Sequence, residues 1–541
     1  MKPFSQRSST DTPPSFDRRE ILAGAGLLAA ASVAWPNLAS AASPEHVVAK
    51  TQAGRIGGIR EQGVNIFKGI PYGGDTRLRR FRPAAPPESW KKVRDALEFG
   101  PACPQPSTSE RTSEDCLVLN VFTPALRDGG KRPIMVYFHG GEFSSGSSGS
   151  SLYDGGQLCR RGDVVVVTVN HRLNAFGHLY LARLGGPDYA TSGNVGILDL
   201  VQALTWVRDH AAEFGGDAGK VMVFGQSGGG AKIATLMAMP AARGLFHRAA
   251  TMSGQQITAA GPRSSTLRAR SFLNALKLAP TDVARLDSFD TSQLVEASKA
   301  PDATLVGRSI YYGPVLDHDV LLRHPFYPDA PAQSAGIPMI IGNTRDETIA
   351  FLGNEPGVRE LTWEQLPERL LVDLLVDIEP EYVIAEYRKL YPELNPTQVF
   401  FAATTAGRSW RGAIIEAELR AAQGSPVFAY QLNYRSPLEG GRWGAQHTMD
   451  IALVFDNIRQ PTSRTGTGPE AQKTADQMSA AFIAFARGGD PNHPGIPQWR
   501  PYELSNRSTM VFDAESELVD DPRGAERKLF AQVPYIQRGT Y

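Results

Sequence analysis

The sequence predicts the α/β class: a large, mostly parallel, twisted central sheet flanked by helices. Three observations carry that expectation. Short apolar runs of strand length, Pro133 to Phe138, Val221 to Phe224 and Ile340 to Gly342, each empty into a glycine-rich or polar turn, as strands buried on both faces of a parallel sheet do. The run Ala231 to Met239 behind the second of them is small and apolar enough for a buried helix. Between that strand and that helix stands Gly225-Gln226-Ser227-Gly228-Gly229, a turn so tight that the serine oxygen is thrust clear of the sheet edge.

A serine hydroxyl is a weak nucleophile at neutral pH. It needs a base, an acid that orients the base, and donors for an oxyanion. Of ten histidines, His447 stands in Gly444-Ala445-Gln446-His447-Thr448-Met449-Asp450, just ahead of the apolar run Ile451 to Phe455. For the acid, the strand-like Ile340-Ile341-Gly342 leads through a polar turn to Glu347; the carboxyl end of a sheet strand is where this class collects its reacting groups. Ser227, Glu347 and His447 lie at spacings of 120 and 100 residues, with room for strand and helix units between them. Nucleophile, acid, base is the order of an α/β-hydrolase fold.

Pro133 to Phe138 runs into His139-Gly140-Gly141-Glu142-Phe143. Consecutive glycines let N–H groups face a site with no Cβ in the way, so Gly141, Glu142 and Gly228 are the expected oxyanion donors. Ser144 to Ser151 has the composition of a flexible linker, but its place directly after a glycine hinge favours an active-site loop.

The chain has 541 residues, 42% hydrophobic and 21% charged, enough for a large core. Lysine plus arginine equal aspartate plus glutamate at 56 each, so no basic field invites nucleic acid or an anionic membrane. Its 53 glycines and 39 prolines suit a loop-rich α/β domain. The candidate triad spreads from 227 to 447, so residues 42–541 are expected to form a single domain despite their length. With no His-Glu-x-x-His and no zinc spacing among three cysteines, no metal and no organic cofactor are expected.

Residues 1–41 read as a targeting segment. Asp17-Arg18-Arg19-Glu20-Ile21-Leu22 precedes a mildly apolar Gly/Ala-rich run to Trp35, and Ala39-Ser40-Ala41 offers a small-residue cleavage site. Paired arginines before a weak apolar region suggest a twin-arginine signal peptide; a general secretory signal or an N-terminal anchor is the alternative. Ile21 to Ala34 has 14 residues against the ~20 of a spanning helix, so no stable membrane span is expected. The mature chain is then periplasmic or secreted. In an oxidising compartment, joining Cys103 to Cys116 would stabilise by ~3 kcal/mol and leave Cys159 over.

Several ordered segments resemble the type-B carboxylesterase family, which includes bacterial para-nitrobenzyl esterases and the cholinesterases. Glu114-Asp115-Cys116-Leu117-Val118-Leu119-Asn120 resembles the family's E-D-C-L-x-L-N signature, and Asn170-His171-Arg172-Leu173 with Phe176-Gly177 its N-x-R-L-x-x-F-G segment. Gly193 to Asp199, Trp206-Val207 and Phe214 to Asp217 resemble the run leading to the nucleophile, and Gln498 to Tyr502 the C-terminal W-P-x-Y. The resemblance extends from about Ala53 to Phe512. It implies an α/β-hydrolase fold, a serine carboxylesterase acting on small-molecule esters through Ser227, Glu347 and His447, and a Cys103–Cys116 disulfide. A lipase or an amidase would use the same triad. A non-catalytic adhesion member would have lost triad residues that this chain keeps.

Four positions depart from the family pattern. Gln226 replaces the acid beside the nucleophile, which should stabilise an imidazolium less and attract cationic substrates less. Glu142 stands where a third glycine is usual, so its carboxylate should point away from an oxyanion. Thr348 replaces a frequent glycine after the acid, and Asp450 a familiar glutamate after the histidine. Ser253, in Met252-Ser253-Gly254, is placed behind the triad by family position. The segment between Cys103 and Cys116 has 12 residues and no tryptophan, so choline-ester selectivity through a cation–π contact is not expected. Leu361 to Val376 could cover an apolar mouth as in a lipase, but its stripe fits a core-facing helix better.

Overall fold

Parallel strands need long crossovers, and the spacing of the strands supplies them. The computed structural model describes residues 45–540; the expected leader lies outside them. Thirteen strands are formed among the described residues: β1 Glu45–Lys50, β2 Arg55–Glu61, β3 Val64–Pro71, β4 Arg94–Asp95, β5 Val118–Thr123, β6 Arg132–Phe138, β7 Val165–Val169, β8 Gly216–Gln226, β9 Arg248–Met252, β10 Met339–Thr344, β11 Val427–Leu432, β12 Ser508–Phe512 and β13 Glu517–Asp520. They join one sheet in the order β1-β2-β3-β5-β7-β6-β8-β9-β10-β11-β12-β13, with β4 beside β2. From β7 to β12 every neighbouring pair is parallel. The flanking pairs are antiparallel except β2 with β4, which is parallel. This is the α/β-hydrolase architecture.

The parallel centre is apolar on both faces because helices cover both. In β6, Ile134, Val136 and Phe138 join one buried cluster while Met135 and Tyr137 join the other. In β8, Val221 and Val223 alternate with Met222 and Phe224 in the same way. Helices Val195–His210 and Gly228–Ala238 lie on the first face, Met449–Phe455 and Pro469–Gly488 on the second. Leu361 to Val376 contains the helix Leu366–Asp373, which sinks Leu366 and Leu370 into a third, helical cluster and leaves Leu371 and Val372 exposed. Its stripe is core-facing.

One buried ion pair pins a crossover helix beneath the loop after β7. Arg172 Nη2 donates to Asp199 Oδ1 at 2.6 Å and Nε to Oδ2 at 2.8 Å, both residues being sealed from solvent. The expected Cys103–Cys116 disulfide is not formed. Both are buried free thiols in hydrogen-bonding contact, and Cys103 Sγ also accepts from the Leu173 N–H at 3.2 Å. That contact with Cys103, together with burial, pushes the Cys116 thiol well above its ordinary value, disfavouring the thiolate that disulfide formation requires. Because a buried charge that loses its partner is costly, Asp199→Ala is expected to destabilise by about 3–5 kcal/mol in urea unfolding. A loss below about 1 kcal/mol would show that Arg172 finds another partner.

Candidate active site

The strands of the parallel centre point one way, so the residues that follow them collect at one edge. Ser227 follows β8, Ser253 follows β9, Glu347 follows β10, and the His139–Glu142 loop follows β6. His447 comes from the segment between β11 and the helix Met449–Phe455. Ser227 has φ 56° and ψ −127°, a conformation L-residues rarely adopt. Two hydrogen bonds keep it there in register with the next strands: Ser227 N–H donates to the Met252 carbonyl and Ser253 N–H to the Gly342 carbonyl, each at 2.7 Å. The approach is close enough to demand glycine. A Cβ on Gly254 would stand 1.8 Å from the Ser227 carbonyl oxygen, and one on Gly228 2.2 Å from that of Glu142.

Glu347 and His447 are joined by a short hydrogen bond from Nδ1 to Oε2. The other carboxylate oxygen accepts the Thr344 N–H at 2.8 Å. Burial opposes ionisation of Glu347, but the imidazole charge and these donors hold it below its ordinary value. Ser253, at φ 51°, lies beside the same carboxylate and adds to the effect without closing a hydrogen bond of full geometry. The histidine segment is locked to the acid's turn by Ala445 N–H to Asp346 Oδ2 and Asp346 N–H to the Ala445 carbonyl, both 2.9 Å. Thr348 has φ −74°, so the turn needs no glycine. Its hydroxyl meets those of Thr404 at 2.8 Å and Thr405 at 3.0 Å, anchoring the turn to the helix Pro396–Thr405.

Gly141 (φ 82°) and Glu142 (φ 54°) form a left-handed turn. Neither N–H is taken by a backbone carbonyl among the described residues, and Gly228 abuts Glu142. Ser227, His447, Gly141, Glu142 and Gly228 all line one cavity of about 870 Å³. Phe143 and Ser144 line it too, while Ser147 and Ser148 are buried, so the serine-rich stretch is packed beside the cavity and is no linker.

The model of the carboxylesterase family matches residues 45–530. The para-nitrobenzyl esterase of Bacillus subtilis is 33% identical over 507 residues, 90% of this chain and 99% of that protein. The phenmedipham hydrolase of Pseudarthrobacter oxydans is 32% identical over 87% of this chain and 96% of its own length. Among solved structures, the carboxylesterase EST55 of Geobacillus stearothermophilus superposes with a TM-score of 0.80 at 38% identity, covering 89% of this chain and 99% of that one. The chain belongs to the carboxylesterase family. It is a carboxylic ester hydrolase.

Two positions give this esterase its own character beside the histidine. The Gln226 carboxamide nitrogen lies 3.1 Å from His447 Nε2 and 3.4 Å from Nδ1, across the edge of the ring. No hydrogen bond joins Ser227 Oγ to the imidazole; the Gln226 amide lies against the ring, near both of its nitrogens. Asp450 is fully buried and accepts from the Tyr430 hydroxyl at 2.8 Å, with Oδ1 unpartnered. Burial first, then the charge of Glu347, push its carboxyl up to about 7. Among the described residues no cluster of three His, Cys, Asp or Glu is arranged for a metal, and no helix is long and apolar enough to cross a membrane.

Lys232 escaped the sequence reading, hidden in a run taken as an apolar helix. It is fully buried, and its Nζ donates to the His139 carbonyl at 3.0 Å, tying the helix after Ser227 to the root of the Gly141–Glu142 turn. Burial pushes this amine down to about 7, against the pull of the Glu142 carboxylate. His139 and His178 are held at about 3 by burial and by the same lysine, and His171 lies well below its ordinary value for the same reasons. A lysine in an otherwise small, apolar stretch directly behind Ser227 was the available signal.

Lys232→Met is expected to lower kcat about ten- to a hundredfold with KM nearly unchanged, since it releases a loop without touching substrate. Steady-state kinetics on 4-nitrophenyl acetate would read this, and an unchanged kcat would refute it. For Asp450 the folded state binds the proton more tightly than the unfolded chain. The stability it contributes is full below about pH 4 and lost as pH rises through about 7. Asp450→Asn is expected to flatten the fall in unfolding free energy over that window; an identical pH profile would mean that Asp450 ionises normally.

Proposed function

We propose that this esterase works through an acyl-enzyme in which Ser227 is the nucleophile, His447 the base and Glu347 the acid that orients it. The observation that carries the reading is the convergence of the strained Ser227 turn, the Glu347–His447 hydrogen bond and the Gly141–Glu142 turn on one cavity. Ser227 Oγ adds to the ester carbonyl while His447 Nε2 takes its proton, and the carbonyl oxygen becomes an oxyanion held by the N–H groups of Gly141, Glu142 and Gly228. His447 returns the proton to the leaving alcohol, and water repeats the sequence to release the acid. Glu347 keeps Nδ1 protonated and stabilises the imidazolium. The Gln226 carboxamide lies against the same ring. Once the ring is protonated, the same carboxamide can turn its oxygen to accept from it.

Residues 1–41 are proposed as an export signal, which places the mature enzyme in the periplasm or outside the cell. Cell fractionation of the full chain and of Arg18→Lys/Arg19→Lys tests it. Export that ignores the paired arginines would point to the general secretory route.

A series of 4-nitrophenyl esters from acetyl to palmitoyl, with Ser227→Ala as control, tests the mechanism. Turnover should peak at short acyl chains and vanish in the variant. A peak at palmitoyl would favour a lipase, and esterase rates retained by Ser227→Ala would remove the assignment. Gln226→Glu cannot donate to Nε2 and adds a negative charge beside the imidazolium. The acid limb of its kcat/KM profile is therefore expected to move to higher pH, with cationic esters gaining relative to neutral ones. Unmoved limbs and ratios would contradict that role for Gln226.

A further inference from the structure

Arg408 takes no part in the acyl-transfer steps, yet its side chain lines the same cavity. It sits in a π-helical turn, Ala406–Trp410, inserted between the helices Pro396–Thr405 and Arg411–Ala422. Such turns re-aim side chains and concentrate at functional sites. The turn is held from behind. Trp410 packs under the Arg523 guanidinium, 4.2 Å from its ring, and the Tyr535 hydroxyl donates to the Arg408 carbonyl at 3.5 Å. The side chain is left to enter the cavity.

There its guanidinium lies 4.3 Å over the ring of Phe351, and that ring sits 4.8 Å from the imidazole of His447. The Phe351 ring, tilted 47° to the imidazole, is thus in contact with both Arg408 and His447. A guanidinium lying on an aromatic face keeps its edge N–H groups free, in the fork geometry that matches a carboxylate. Among the described residues no carboxylate pairs with Arg408; its partner is the Phe351 ring. The acids of the cavity are engaged elsewhere. Glu355 and Asp373 both pair with Arg369, and the charge of Glu142 falls on Lys232 and Tyr311. Arg308, exposed at the cavity wall, also forms no ion pair among the described residues, and its charge acts on Asp373.

A half-buried, pre-stacked guanidinium beside the reacting groups of an ester hydrolase, with its donors unspent, is a receptor for an anion. We propose that Arg408 anchors a carboxylate subsite, and that this esterase acts on esters carrying a free carboxylate on the acyl or the alcohol side. The carboxylate would stand beside Phe351, apart from the reacting ester. The inference rests on the acyl-transfer reading of the same cavity.

Two matched pairs of esters separate the sides. 4-Nitrophenyl hydrogen adipate against 4-nitrophenyl hexanoate places the carboxylate on the acyl side, and 4-butyryloxybenzoate against phenyl butyrate places it on the alcohol side. At low salt the wild type is expected to favour at least one charged ester over its neutral partner in kcat/KM by about tenfold, the worth of a charge-assisted pair. Arg408→Gln should erase that preference through KM and leave the neutral esters within about twofold, while Arg408→Lys, which keeps charge without the fork, should retain part of it. Calorimetric titration of adipate and benzoate into Ser227→Ala, with and without Arg408→Gln, reads the subsite without turnover. Hydrolysis of neutral esters with no charged preference, or equal losses on both members of each pair, overturns the subsite and spares the triad. Arg408-dependent carboxylate binding in a protein that hydrolyses no ester spares the subsite and overturns the triad.

Discussion

Everything at this site hangs from the backbone of Ser227. A residue with a side chain is held at φ 56°, ψ −127°, which costs of order 1–3 kcal/mol and persists only where neighbours over-determine it. Here the neighbours are the ends of the adjoining strands. The Met252 carbonyl takes the Ser227 N–H, the Gly342 carbonyl takes the Ser253 N–H, and Gly254 crowds the Ser227 carbonyl so tightly that no larger residue fits. The strain is thus spread across a parallel sheet whose two faces are buried under helices. The sheet does not merely display the serine; it compels the conformation that exposes it.

From that fixed point the other groups are placed by short tethers. Glu347 sits a few residues past β10, its carboxylate caught by the Thr344 N–H, and the Asp346–Ala445 pair of hydrogen bonds brings His447 to it across 100 residues of chain. Lys232 does the same for the turn at Gly141 and Glu142, reaching from the helix that Ser227 begins to the carbonyl of His139. The electrostatics follow from burial. Glu347 is kept ionised by its donors, whereas Asp450, deprived of them on one oxygen, is pushed up to about 7. Two carboxyl groups near one imidazole are thereby shifted in opposite directions.

Much of this was legible in the residues. Strand-length apolar runs each ending in a turn disclosed the parallel centre, because a strand buried on both faces has no polar side to show. The Gly-x-Ser-x-Gly turn and the order of Ser227, Glu347 and His447 located the site, since strand ends on one edge must converge. What stayed hidden depended on tertiary contact. Lys232 lies in a stretch whose pattern says only that it is buried, and no local signal shows which carbonyl it meets. Arg408 gains its place from a five-residue π turn between two helices, which periodicity cannot register. The Cys103–Cys116 disulfide was expected from spacing and resemblance, but the structure has two free, buried cysteines in contact. Thr348, standing where the family often has glycine, fastens the turn at Glu347 through two hydroxyl contacts.

The measurement that bears most directly on the account is active-site labelling. The enzyme would be titrated with a 4-nitrophenyl alkylphosphonate, which mimics the tetrahedral intermediate and leaves a stable adduct on an activated serine. The released 4-nitrophenol and the modified peptide would then be counted. The account requires one adduct per chain, carried by Ser227, with esterase activity falling in proportion and labelling abolished in His447→Ala. Labelling at another residue, or activity that survives full modification of Ser227, would contradict it.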